Sequence, residues 1–147
     1  MKNLKFFPII LCLAVLIIMA VLAVMQPEHL YGGSKYDVRI VNGFTNNSSL
    51  PLVIWCASSE RDMGGRALQE GDDYSWSLET KFWGGGHESN IFCTMKWDRR
   101  RKRFDAFRVS RDCRRCSPSK LCLWLVKEDG FYFSNDSKNY HKDFAWV

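Results

Sequence analysis

Three groups of residues in this chain have types and spacings that could do chemistry. Cys113-Arg114-Arg115-Cys116, with Cys122 close behind, has the spacing of a redox pair or of half a zinc site. His87-Glu88 sets a base beside a carboxylate. Arg99-Arg100-Arg101-Lys102-Arg103 puts five cations in a row, enough charge to capture an acidic partner or an anionic surface. A redox pair opens a helix in a βαβ context, and none follows Cys116. Zinc needs four ligands, and His29, His87 and His141 are not spaced to complete them. Acid–base catalysis needs a positioned, water-shielded pair. His87-Glu88 follows Gly84-Gly85-Gly86, which reads as a loop and provides neither. The chain has no Gly-x-Ser-x-Gly, no His-Glu-x-x-His and no phosphate loop. The reading is therefore not an enzyme, with no cofactor and no metal. The cations remain as the candidate partner-binding group.

The elements around the cations are short and β-like. Tyr36 to Val41 alternates, with Val38 and Ile40 against Asp37 and Arg39. Leu50 to Ala57 is continuously apolar around Pro51, as in a buried strand. Asp73 to Leu78 alternates Tyr74, Trp76 and Leu78 against polar residues, and Ile91 to Trp97 alternates Ile91, Cys93, Met95 and Trp97. Phe104 to Val109, Leu121 to Val126 and Phe131 to Phe133 complete seven strands, with Asp129-Gly130 as a turn signal before the last. Phe144 to Val147 is an eighth candidate. Ser58 to Gly71 reads as a polar connection. Five consecutive cations repel and need water, so Arg99 to Arg103 belongs at a hairpin tip between the strands ending at Trp97 and starting at Phe104. Aromatic residues make up 14% of the 147 residues, too much core-forming material for disorder. The pattern predicts a small all-β, disulfide-stabilised antiparallel sandwich of seven to eight strands.

The N-terminus reads as an address. Lys2 and Lys5 precede an apolar run from Phe6 to Met25, and Val21-Leu22-Ala23 offers the small residues of a cleavage site. Residues 1–23 are expected to be a signal peptide cleaved between 23 and 26, followed by a flexible lead-in over 24–35 and the domain over 36–147. An uncleaved anchor is the alternative, since ~20 apolar residues can span a bilayer. Removing residues 1–23 leaves 19 basic against 16 acidic residues, too weak an excess for a nucleic-acid binder. The triplets at Asn46, Asn47 and Asn135 are glycosylation sequons. Five cysteines remain after the signal, and in an oxidising compartment they should mostly pair. The economical solution is one bridge joining Cys56 to Cys93 and one local bridge among Cys113, Cys116 and Cys122.

In order and spacing these segments resemble the plant self-incompatibility S1 proteins, or S-protein homologues. Val38-Arg39-Ile40-Val41-Asn42 resembles that family's opening strand ending in Asn. Leu52 to Cys56 with Asp62-Met63-Gly64, Phe92-Cys93 with Trp97, and Phe104-Asp105-Ala106-Phe107 follow in its order. Cys122-Leu123-Trp124 and Asp129-Gly130-Phe131-Tyr132 resemble its close. Trp55 departs from the pattern, standing where a His commonly precedes the first Cys. The resemblance covers about residues 36–147. It implies a small secreted β-sandwich with two disulfides. Cys116 fits the family position, so Cys116 would join Cys122 and Cys113 would be left over. The founding members are poppy stigma proteins that act as ligands for a pollen membrane receptor.

Two functions follow. The first is a secreted signalling ligand recognised by a cell-surface receptor, with a role in pollen–stigma self-incompatibility. The second is a membrane-active or antimicrobial defence protein acting through the basic segment. Neither needs nucleic acid or stable membrane insertion once the signal is removed, and neither sets an oligomeric state.

Overall fold

A computed structural model of the protein describes residues 7–24, 33–45, 50–80 and 90–146. They fall in two compact units divided between Gly32 and Gly33. The first contains helix α1, Phe7–Val24, whose side chains from Ile10 to Leu22 are exposed. Among the described residues, no helix is long and apolar enough to cross a membrane.

Among the described residues, the second unit has nine strands and one short helix: β1 Ser34–Asn42, β2 Leu52–Ser58, β3 Asp62–Leu68, β4 Asp73–Thr80, β5 Ile91–Trp97, β6 Arg100–Phe107, α2 Val109–Arg115, β7 Leu121–Lys127, β8 Gly130–Ser134 and β9 His141–Phe144. One sheet has the order β4-β1-β7-β8-β9 and the other β3-β2-β5-β6. Alternation drives the assembly. Tyr36, Val38 and Ile40 of β1, Leu52, Ile54 and Cys56 of β2, and Ile91, Cys93 and Met95 of β5 are buried on the facing sides. Trp124 of β7 closes the core, fully buried, with its Nε1 donating to the Ala106 carbonyl at 2.9 Å. The rings of Phe104 on β6 and Phe133 on β8 lie 5.1 Å from it in edge-on geometry. Each such side chain contributes ~2–3 kcal/mol by leaving water.

Short polar stitches hold the ends. Buried Asn42 donates Nδ2 to the Leu68 carbonyl at 3.0 Å and accepts from the Phe44 N–H, tying β1 to the end of β3. Asp62 accepts from the Gly64 N–H at 2.8 Å, and Gly64 has φ +82°, a conformation that suits glycine. The β7–β8 hairpin turns at Glu128 and Asp129. A Cβ on Gly130 would lie 2.4 Å from the Phe144 carbonyl oxygen, so only glycine lets β9 approach.

The structure is all-β and sandwiched, and it differs from the sequence reading in five places. Ser58–Gly71 holds strand β3, an edge strand in which only Leu68 is buried, so no alternation betrays it. Helix α2 is too short for a helical period to emerge. The sheets are not wholly antiparallel, because β7 pairs β1 in parallel, from Asp37↔Leu121 to Asn42↔Val126. Parallel neighbours need a long connection; here it runs through β2 to β6, and α2 is its last leg, from β6 of the other sheet into β7. The closing strand is β9, at His141–Phe144 rather than 144–147, and β1 begins at Ser34, inside the expected lead-in. The rest of that lead-in, residues 25–32, lies outside the described residues.

Candidate functional site

The cations do not form a tip. The β5–β6 turn consists of Asp98 and Arg99 alone, with Asp98 at φ 53°. Arg100 to Arg103 continue as β6, at the edge of the four-stranded sheet. An edge strand has water on one side, which meets the need that had pointed to a loop. The pleat then sends alternate cations to opposite faces. Arg100 donates to the Glu128 carbonyl at 2.7 Å and lies 5.5 Å from the Trp97 ring. Half-buried Lys102 lies 5.4 Å from the Phe144 ring. Arg101 and Arg103 point the other way. Arg101 is opposite Lys96 and Arg103 opposite Thr94, and the Arg103 guanidinium stacks 4.2 Å over the Phe92 ring. Lys96, Arg101 and Arg103 are exposed and meet no carboxylate among the described residues. Asp105, farther along β6, is engaged by Arg108.

Sequence reasoning missed what lies beside these cations. Trp55 is 54% exposed and Val53 44% exposed on the outer face of β2. Aromatic content reads in sequence as core-forming material, and Trp55 stands outside the core. The signal available was its place in β2, between inward Ile54 and inward Cys56.

The cysteines are placed by the strands. Cys56 and Cys93 are directly opposite on β2 and β5 and form a buried disulfide, Cα atoms 4.1 Å apart. Cys116 and Cys122 form the second, across the turn from α2 into β7. Cys113 is a free thiol, half-buried in α2. Its carbonyl accepts from the Tyr36 hydroxyl at 3.2 Å. Burial first, then a side-chain hydrogen bond with Cys113, pushes the Tyr36 hydroxyl above its ordinary value. Among the described residues no cluster of three or more His, Cys, Asp or Glu could hold a metal.

Of the sequons, Asn46 and Asn47 lie outside the described residues, as do Gly84–Gly86 and His87-Glu88. Asn135 is half-buried, and its Nδ2 donates to the Arg115 carbonyl at 3.0 Å and towards the Ser117 carbonyl at 3.4 Å. Next to it, Asp136 accepts from the Lys138 and Asn139 backbone N–H groups at 2.9 and 2.8 Å and from Asn139 Nδ2 at 2.6 Å. These bonds hold its carboxyl well below the usual carboxylate range. An open groove of about 490 Å³ lies between β3, β4 and the start of β5, lined by Glu60, Arg61, Met63, Trp76 and Glu79 among others. Both signs of charge meet there, so it selects no one class of ligand.

Comparison with known proteins supplies the context. The model of the family plant self-incompatibility protein S1 matches residues 37–146. S-protein homolog 2 of Arabidopsis thaliana is 30% identical over 117 residues, 77% of this chain and 69% of its own length. Self-incompatibility protein S1 of Papaver rhoeas is 33% identical over 98 residues, 65% of this chain and 66% of its own length. S-protein homolog 21 of Arabidopsis thaliana is 26% identical over 117 residues, 78% of this chain and 85% of its own length. The chain thus spans about two thirds of the first two relatives. No solved structure matches it.

Proposed function

The chain belongs to the plant self-incompatibility protein S1 family, and on that premise we propose that it is a secreted, non-catalytic ligand recognised by a cell-surface protein receptor, with a role in pollen–stigma recognition. Residues 1–23 act as the signal peptide and leave the protein on export, with cleavage between 23 and 26. The β5–β6 hairpin carries the receptor contact. The observation behind this reading is its unpaired charge: Arg101, Arg103 and Lys96 have no carboxylate partner among the described residues, and Arg99 stands exposed at the turn. Such charges draw an acidic partner in and raise the association rate more than they lengthen the bound state.

The test is binding of the exported protein to target cells across a salt series, with Arg99, Arg101 and Arg103 all replaced by Glu in the variant. Wild-type binding should saturate and weaken as salt rises, because exposed charges are screened beyond ~8 Å at physiological ionic strength. The triple variant should fold and lose binding through its association rate. Equal binding by both proteins at low salt removes the hairpin from the interface. Leakage of anionic vesicles by the protein alone supports the defence reading instead. N-terminal sequencing of exported protein that still began at Met1 refutes the signal assignment.

A further inference from the structure

Outside the reach of receptor docking by charge stands Trp55. Strand β2 buries Leu52, Ile54 and Cys56 and turns Val53 and Trp55 outward. Opposite Trp55 on β3 is Gly65. A Cβ there would lie 2.5 Å from the indole Cε3 and 2.8 Å from the Ile54 carbonyl oxygen. Glycine therefore lets the indole lie against the neighbouring strand and keeps it from standing off the sheet. Its open side is a flat apolar platform. On the other side of β2 the register sets Lys96 beside Val53 and Thr94 beside Trp55. One strand farther come Arg101 and Arg103. With strands ~4.8 Å apart, the two guanidinium-bearing residues sit about 10 Å from the Val53–Trp55 row. Among the described residues, the outer face of this sheet thus sets an apolar platform beside cations that meet no carboxylate.

We infer that this face binds an acidic polysaccharide, a linear chain of uronate residues. A sugar ring offers an apolar C–H face that stacks on an indole. A uronate adds a carboxylate to each residue, to which the planar fork of an arginine donates two parallel bonds. A uronate chain crossing from β2 to β6 supplies both in one ligand. An acidic peptide satisfies the cations and leaves Trp55 unused. Single-stranded nucleic acid stacks successive bases on several rings, and among the described residues this face has one open ring, because Arg103 already covers Phe92. A bilayer calls for apolar groups that project, and Trp55 lies on the strand beside it.

The test titrates the disulfide-intact protein with polygalacturonate oligomers. Polyglutamate, a neutral galactan, single-stranded oligothymidylate and phosphatidylserine vesicles are run in parallel. Wild type should bind polygalacturonate saturably and the neutral galactan not at all. Trp55→Ala should lose at least ~10-fold in affinity, the scale of truncating an anchoring aromatic, and Trp55→Phe should recover part of it. Arg101→Gln with Arg103→Gln should lose a similar factor and flatten the salt dependence. Lys35→Gln, one positive charge removed on the other sheet, should stay within twofold. Polyglutamate binding should be indifferent to Trp55→Ala. Both Trp55 variants should give the wild-type circular dichroism, since the side chain is outside the core. The inference is overturned if Trp55→Ala binds polygalacturonate as wild type does, if Lys35→Gln weakens it as much as the arginine pair, or if oligothymidylate or vesicles bind more tightly. The arginine pair is shared with the proposed receptor contact, so the Trp55 variants, which leave that charge intact, separate this inference from that reading.

Discussion

Asp136 and Asn135 are adjacent in sequence and give opposite lessons about single residues. Asp136 is held in its ionised form by backbone and side-chain donors of its own turn. Its folded pKa is below its unfolded value of about 3.9, so the stability it contributes is present above that value and lost as pH falls below it. Wild type should therefore lose denaturant midpoint as pH drops from 5 towards 2. Asp136→Asn should start lower and fall less steeply over that window; parallel acid limbs would refute the account. Asn135 carries a sequon, yet its Nδ2 is spent on the carbonyls of Arg115 and Ser117. Attaching a glycan there replaces a half-buried contact with a bulky polar group. Peptide mapping of exported protein should find Asn135 largely unmodified, with any glycan at Asn46 or Asn47. Full occupancy at Asn135 would mean that this contact does not form in the exported protein. The sequon was legible in the sequence. The hydrogen bond was not, because its partners are on a turn some twenty residues away.

At the scale of elements, the strands that alternate were readable, and those with another source of order were not. β1, β4 and β5 declare themselves because half their residues face the core. β3 has two glycines and one buried residue, and its order comes from backbone pairing with β2. The cations of β6 point in sequence to water and in structure to an edge, which is also where charge keeps one sheet from pairing with another. Helix α2 has the least sequence signal and a central task, carrying the chain across so that β7 runs parallel to β1. Asp112 holds it. This carboxylate is fully buried and accepts from the Arg108 N–H at 2.8 Å and from Arg111 Nε and Nη2 at 2.8 Å each. The pairing raises the Arg111 guanidinium above its ordinary value. Arg111 keeps part of its side chain in water, but removing Asp112 empties a fully buried site and takes the acceptor from the Arg108 N–H. Asp112→Ala should thus cost about 3 kcal/mol in chemical denaturation, and a loss under 1 kcal/mol would mean that α2 is held by its apolar contacts alone.

The whole molecule depends on two sheets that share one core and on two covalent ties that do different work. Cys56–Cys93 joins neighbouring strands of one sheet and closes a separation of 37 residues. Cys116–Cys122 closes only 6. The first pairing followed from economy among five cysteines, whereas choosing Cys116 over Cys113 needed the family resemblance, because spacing alone left that cluster open. On the loop-entropy model the longer closure is worth about 4 kcal/mol and the shorter about 2 kcal/mol, through the freedom each removes from the unfolded chain. All four sulfurs are buried, so replacing either pair by Ala removes similar core volume, and that contribution largely cancels in the comparison. Cys56→Ala with Cys93→Ala should therefore be the less stable double variant, by about 1–2 kcal/mol. The comparison is made by denaturant unfolding of both variants with Cys113→Ser also present, so that no free thiol can exchange with the surviving bridge. Equal midpoints, or a lower one for the Cys116 and Cys122 variant, would mean that the short bridge acts in the native state. It would then serve by fixing the entry of the chain from α2 into the parallel strand β7.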